Sequence, residues 1–312
     1  MAFLFLGLYP SMELGQAVFF AVFHAISAFC NAGFSVWTEN LVAMRQSWCF
    51  LSVIMLLIVL GGLGFWVLDE VLLGLQQMMS RKKGTSSGFR RFSLHTRVVF
   101  RVTAALLLGG TVFLLVCGLT PQEKTMGDHI FHAAFQSVTA RTAGFNTVNI
   151  GALPQASLFL LILLMFIGGS PGSCAGGVKT TSLAVWFARV RASLYGEREV
   201  HILNRRMPSE LTNRVDLLLA LGVVWNIIGI MVLLTMGSPI PFSPLELIFE
   251  QISAFGTVGL STGLTPKLST IGKLWLCGTM FVGRLGPLTI AMWAFPKERA
   301  RVGYPKGTVL IG

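Results

Sequence analysis

Charged residues are scarce in this chain. Asp, Glu, Lys and Arg together make up 12% of its 312 residues, against 54% hydrophobic ones. A soluble chain of this length would cover its cores with charge, so the shortage excludes a soluble globular protein and places the chain in a lipid bilayer. Acids are the scarcest of all, 13 against 24 Lys and Arg, and none form the paired carboxylates of acid–base catalysis. A phosphate-cradling glycine loop and a nucleophile elbow are also missing, so nothing supports an enzyme. The five cysteines, Cys30, Cys49, Cys117, Cys174 and Cys277, stand singly without a CxxC pair. They read as small hydrophobes rather than metal ligands or disulfide partners. His24, His129 and His132 lack the spacing of a metal site and are expected at the outer ends of short helices. Residues 1–8 have neither the basic start nor the cleavage site of a signal peptide and read as the end of a membrane helix.

What charge there is has a pattern. The net charge of +11 resides largely in three segments: Arg81, Lys82, Lys83, Arg90, Arg91, Arg97 and Arg101; then Arg189, Arg191, Arg198, Arg205, Arg206 and Arg214; then Lys297, Arg299, Arg301 and Lys306. The runs abut apolar spans long enough to cross a membrane, which argues against nucleic acid as a partner. By the positive-inside rule these segments are cytoplasmic. Asp69 and Glu70, near a helix end on the same side, are expected to be solvated or paired with residues 81–83.

Between the basic segments run stretches such as residues 48–68, which contain no charged residue and are long enough to cross ~30 Å of hydrocarbon. An outward-facing stretch lies near Pro10, and an inward helix is predicted over about 48–73. An outward helix follows over about 102–119 and another over 217–236. Residues 127–149 and 244–264 are too short and too polar to span, and read as re-entrant segments. Returning helices are predicted from about 154 to 186, interrupted at 168–177, and from about 270 to 295.

The chain also repeats itself. Phe29-Cys30-Asn31-Ala32-Gly33-Phe34-Ser35 aligns with Ala140-Arg141-Thr142-Ala143-Gly144-Phe145-Asn146 and with Phe255-Gly256-Thr257-Val258-Gly259-Leu260-Ser261, the glycines lying 111 and 115 residues apart. Each follows a short helix-like run, at 24–29, 135–140 and 250–255. A cation leaving water needs oxygen ligands in place of its hydration shell, and backbone carbonyls supply them only where the chain leaves helical geometry. Glycine tolerates the dihedrals and the close approach. The short helix before it directs the negative end of its dipole at the ion. One such glycine reads as a turn; three at matched positions read as a cation filter.

Residues 168–177, with five glycines and Pro171, cannot be regular helix and must lie inside protein or along a water-filled cavity. Two cations are notable because a buried Lys or Arg costs roughly 2.5–3.5 kcal/mol on insertion scales. Arg284 is expected mid-helix and Lys179 just after the glycine-rich segment. Arg141 is expected to brace a loop through hydrogen bonds rather than meet the ion, with Glu250 available to balance it.

These blocks, together with His24-Ala25-Ile26-Ser27-Ala28, Gln136-Ser137-Val138-Thr139, Gly176-Gly177-Val178-Lys179-Thr180-Thr181 and Phe281-Val282-Gly283-Arg284-Leu285-Gly286-Pro287, resemble the Trk/Ktr/HKT superfamily of potassium transporters, in its bacterial pore-subunit branch (TrkH and KtrB). The resemblance runs nearly end to end. It implies an all-α membrane protein built from repeated M1–pore loop–M2 units around a pseudo-fourfold pore, here three of the usual four. The units would occupy 1–75 (with M1 truncated), 98–197 and 215–296, separated by cytoplasmic linkers at 76–97 and 198–214 and followed by a tail at 297–312.

The same resemblance implies a selectivity filter binding K+ through Asn31, Ala32, Gly33, Phe34, Thr142, Ala143, Gly144, Phe145, Thr257, Val258, Gly259 and Leu260. It also implies an intramembrane gate involving Gly168, Gly169, Gly172, Gly176, Gly177, Lys179 and Arg284. The expected function is potassium uptake across the bacterial cytoplasmic (inner) membrane, with Na+ or H+ coupling in some relatives. The expected partners are membrane lipid, a second copy of the chain, and a cytoplasmic nucleotide-binding regulatory subunit of the TrkA or KtrA type. Nucleotide would bind that subunit, and this chain needs no cofactor of its own. With one unit fewer than the family pattern, the alternative is a truncated, non-conducting remnant or assembly partner.

Overall fold

The computed structural model describes Leu4 and residues 13–79, 92–118, 125–236 and 242–294. The stretch near Pro10, the basic residues 81–91 and the basic tail lie outside the described residues. The helices are α1 (Leu14–Phe29), α2 (Trp48–Leu63), α3 (Phe65–Met79), α4 (Leu94–Cys117), α5 (Met126–Thr139), α6 (Gln155–Phe166), α7 (Thr180–Leu194), α8 (Ser209–Met236), α9 (Pro244–Gly256), α10 (Thr270–Leu285) and α11 (Pro287–Ala294). A two-stranded hairpin, β1 (His201–Ile202) and β2 (Arg205–Arg206), lies between α7 and α8.

Length separates the helices into two kinds. α4 has 24 residues and α8 has 28, about 36 and 42 Å at ~1.5 Å per residue, enough to cross a bilayer. Both begin earlier than predicted, so that Arg97, Arg101 and Arg214 are exposed on their first turns. α1, α5 and α9, with 16, 14 and 13 residues, reach only about 20–24 Å, too short to span. Their starts are fixed locally. Thr125 caps α5 by accepting from the Asp128 amide (3.2 Å), and Ser243 with Glu246 forms a capping box before Pro244 opens α9. α4 is capped from outside itself as well. The Glu70 carboxylate accepts from the Ser93 amide (2.6 Å), the Ser93 hydroxyl (2.8 Å) and the Thr96 hydroxyl.

Each short helix packs on the helix that follows or precedes it: α1 on α2, α5 on α4, and α9 on α8, α10 and α6. The apolar cores lie across these joints. One cluster joins Ala17, Ala21, Phe50 and Ile54 of α1 and α2 to Phe135 and Phe145. Another joins Leu114, Leu161 and Met165 to Phe249, Val258 and Leu260. At one edge of the first joint, the Trp48 and Phe131 rings stack at 5.0 Å, and Trp48 Nε1 donates to Asp128 Oδ1 (3.2 Å).

The returning helices differ from expectation. The predicted break at 168–177 is present, between the end of α6 at Phe166 and the start of α7 at Thr180. The helix predicted over 48–73 also breaks, at Gly64 (φ 87°, ψ 150°), and α3 leaves α2 at a bend of 106°. The helix predicted over 270–295 breaks at Gly286 (φ 88°), just before Pro287, whose ring nitrogen cannot donate. All three returning helices are therefore interrupted.

Candidate functional site

The three glycine segments share one backbone form. φ is positive at Asn31 (51°) and Gly33 (69°), at Thr142 (72°) and Gly144 (79°), and at Thr257 (51°) and Gly259 (92°). Glycine accepts this region freely, whereas Asn tolerates it and the β-branched threonines resist it. The segments also adjoin one another. A Cβ on Gly33 would lie 2.5 Å from the Ala143 carbonyl oxygen and 2.9 Å from Gly144 Cα; one on Gly144 would lie 2.3 Å from the Val258 oxygen. Gly259 faces Gly144 Cα at 3.6 Å and meets no further carbonyl. The helices α1, α5 and α9 end just before these segments, so the negative ends of three dipoles converge on them.

Behind the segments the short helices supply hydroxyls and ionisable groups. Ser27 Oγ donates to the Phe34 carbonyl (2.8 Å), Thr139 Oγ1 to that of Phe145 (2.5 Å) and Ser253 Oγ to that of Leu260 (2.6 Å). Phe34, Phe145 and Leu260 were expected as ion ligands. Each of their carbonyls accepts a hydrogen bond from the short helix that precedes it. Asn40 Nδ2 approaches both the Gly33 and the Gly144 oxygens (3.3 and 3.4 Å).

His24 is not at a helix end but buried within α1. Its Nδ1 donates to the Phe20 carbonyl (2.8 Å), its Nε2 lies 3.2 Å from Ser35 Oγ, and its ring stacks on Trp37. His132 Nδ1 lies 3.3 Å from Thr147 Oγ1. Glu250 does not balance Arg141, because the carboxylate accepts instead from Ser261, Thr262 and Thr265.

Residues 168–177 fold back under the segments. A short parallel bridge pairs Ile167 with Val178, and Gly168 N donates to the Val178 oxygen (2.9 Å). From this loop, Ser170 N and Cys174 N donate to the Gly62 and Gly61 carbonyls at the end of α2 (3.0 and 3.4 Å), and Gly177 N donates to that of Gly283 in α10 (3.3 Å). Phe65 N donates in return to Gly172 O (3.1 Å). The loop thus takes up carbonyls that α2 and α10 leave free where they break.

The loop glycines are needed for these close approaches. A Cβ on Gly168 would lie 1.8 Å from Gly176 O, one on Gly169 2.6 Å from the Ala175 Cβ, and one on Gly176 2.3 Å from Thr257 Oγ1. Gly172 and Gly177 have positive φ (72° and 64°). Arg284 lies in the last turn of α10 rather than mid-helix. Its Nη1 donates to the Cys174 carbonyl, and Lys179 Nζ donates to the adjacent carbonyl of Ala175. Buried Arg141 reaches the other end of the loop, where Nη2 donates to Gly168 O (3.3 Å). Of the seven residues expected at the gate, the five glycines lie in this loop, Lys179 follows it, and Arg284 reaches it from α10.

Two glycines, Gly61 and Gly64, went unremarked in the sequence, and two more, Gly283 and Gly286, entered only within a longer motif. Gly61 and Gly283 press α2 and α10 onto the ends of α1 and α9, since a Cβ on either would lie 1.9 Å from the Phe29 or Phe255 oxygen. Gly64 and Gly286 mark the breaks. Their signal is position: Gly61 and Gly283 follow Gly33 and Gly259 by 28 and 24 residues, with the break three residues later in both.

The cation transport protein family of TrkH matches residues 3–300. The Ktr system potassium uptake protein B of Bacillus subtilis is 37% identical over 311 residues, covering 98% of this chain and 66% of that protein. The potassium/sodium uptake protein NtpJ of Enterococcus hirae is 34% identical over 310 residues, covering 97% of this chain and 66% of that one. The chain thus spans 66% of the length of both relatives. Among solved structures, the potassium transporter TrkH from Vibrio parahaemolyticus superposes with a TM-score of 0.69 at 19% identity, over 94% of this chain and 61% of that one, a likeness of fold. The chain belongs to the TrkH family of cation transport proteins and has that family's mostly helical fold.

Proposed function

We propose that this chain forms most of the pore of a potassium-uptake system, with the three glycine segments as its selectivity filter. The observation that carries this reading is the alternation of backbone hand, repeated in three adjoining segments. A strand of uniform hand points successive carbonyls to opposite sides, whereas alternating hand turns them to one side, as a chain must do to replace a cation's hydration shell. The buried hydroxyls of Thr142 and Thr257, which have no hydrogen-bond partner among the described residues, add oxygens at the inner end. Asn31, Ala32, Gly33, Thr142, Ala143, Gly144, Thr257, Val258 and Gly259 carry the ion-facing backbone, and Phe34, Phe145 and Leu260 close it.

The loop 168–177 with Lys179 and Arg284 acts as the gate. Its place under the filter and its two cationic tethers support that role. The units run over 1–75, 98–197 and 215–296, and a fourth glycine segment beside Gly33 and Gly259 completes the ring. Potassium is the cargo named for the Bacillus relative, and sodium joins it in the name of the Enterococcus relative; coupling to Na+ or H+ fits both. The complete subunit works in the bacterial inner membrane, as a pair, on a nucleotide-binding regulatory partner of the TrkA or KtrA type. The basic segments on one side of the spans support that docking face.

The test is potassium-limited growth and radioactive rubidium uptake in bacteria lacking their own potassium transporters, expressing the chain alone and with one added membrane–pore–membrane unit. Uptake in either arrangement that Gly144→Asp abolishes is the expected result. Absence of uptake in both, with the chain confirmed in the membrane, would overturn the reading.

A further inference from the structure

We propose that Glu250 is a positioning residue for ion selectivity, a carboxylate that fixes the turn leaving the third glycine segment and so sets the width of the carbonyl ring. The inference rests on the filter reading of residues 257–259. Glu250 sits in the middle of α9 with 4% of its surface exposed. A carboxylate buried this deeply is tolerable only when its oxygens are filled.

Donors from a single stretch fill them. Oε1 accepts from Ser261 Oγ (2.7 Å), Thr262 N (2.9 Å) and Thr262 Oγ1 (3.0 Å), and Oε2 accepts from the Thr265 hydroxyl. No Lys or Arg pairs with it among the described residues. One turn along the same face of α9, Ser253 donates to the Leu260 carbonyl (2.6 Å). A single helix face therefore grips residues 260–265, immediately behind the filter backbone. The amide of Thr262 can only donate, so the group opposite it must accept.

The arrangement recurs. Glu250 and His24 both stand nine residues before the segment glycine, and both engage the serine two residues after it, Ser261 and Ser35. In the middle segment that position is Phe135, and His132, three residues earlier, faces Thr147 instead. Of the three holds, Glu250 makes the most bonds.

The experiment measures rubidium and sodium uptake side by side, in the arrangement that conducts, with the amount of protein in the membrane matched. Glu250→Leu is expected to lower the rubidium-to-sodium ratio about tenfold, the factor that about 1.4 kcal/mol of lost discrimination represents. Glu250→Gln keeps an oxygen for Ser261 and Thr262 and presents its amide to the Thr265 hydroxyl, so it should hold the ratio within about threefold of wild type.

Should Glu250→Leu fail to reach the membrane, Ser261→Ala combined with Thr265→Val removes donors while leaving the helix untouched. That pair should lower the ratio about threefold. A ratio unchanged in Glu250→Leu or in the double variant would overturn the inference, as would a loss in Glu250→Gln equal to that in Glu250→Leu. Wild-type protein with no uptake sensitive to Gly144→Asp would instead overturn the filter reading, and this inference with it.

Discussion

A glycine in this protein is defined by the backbone atom it faces. At Gly61 and Gly283 a methyl group would sit 1.9 Å from a carbonyl oxygen of the neighbouring short helix. Gly61→Ala and Gly283→Ala are therefore expected to destabilise the protein by about 1–3 kcal/mol, the range for overpacking, read as a lower melting temperature in detergent. Gly74, Gly109 and Gly278 are helical glycines with nothing within 4 Å of a built Cβ. The same change there should be neutral or stabilising by up to about 1 kcal/mol, because alanine is the better helix former. The contrast marks what the sequence could convey at this scale. Gly33, Gly144 and Gly259 were legible because their neighbours repeat in the chain. Gly61 and Gly283 were not, because their reason is a carbonyl some 30 residues away. Glu250 was read from the sequence only as a balance for Arg141, and its actual donors appear only once the chain has turned back through residues 261–265.

Among the elements, the break at 168–177 was legible from its glycine density. The breaks at Gly64 and Gly286 were missed, although Gly61-Gly62-Leu63-Gly64 and Gly286-Pro287 carry breaker signals, because the apolar runs around them are long enough to read as unbroken spans. What ends α2 is the loop, whose amides reach the carbonyls of Gly61 and Gly62. The loop is in turn pinned by Lys179 and Arg284 on the adjacent carbonyls of Ala175 and Cys174. Replacing both cations with methionine should speed hydrogen exchange across residues 170–177 and raise rubidium uptake, with each single variant intermediate. Exchange unchanged in the double variant would mean that the backbone bonds alone hold the loop. Gly64→Ala should loosen the same loop from the other side, because φ is 87° and a Cβ there would lie 2.5 Å from the Pro171 oxygen.

For the molecule as a whole, the informative residue is Phe34. It is 70% exposed, whereas its counterparts Phe145 and Leu260 are 0% and 2% exposed. Phe145 packs into a core with residues of α1 and α2, and Leu260 into one with residues of α4 and α6, so on the proposed reading Phe34 marks the flank where a further unit would seat. A Phe34→Cys variant should react with a thiol reagent when the chain is expressed alone and be protected when the added unit is present. Equal labelling in both states would place the added unit elsewhere.

The left-handed backbone at Thr142 and Thr257 has a consequence for stability. Each residue is held about 1–2 kcal/mol above its preferred conformation, and on the filter reading the carbonyls so arranged also repel one another when no ion lies between them. The cargo then doubles as a ligand of the folded state. Once potassium exceeds its dissociation constant, each tenfold rise should add about 1.4 kcal/mol per bound ion to the free energy of unfolding. The purified protein should therefore melt at a temperature that climbs with the logarithm of potassium concentration, and climbs less with sodium.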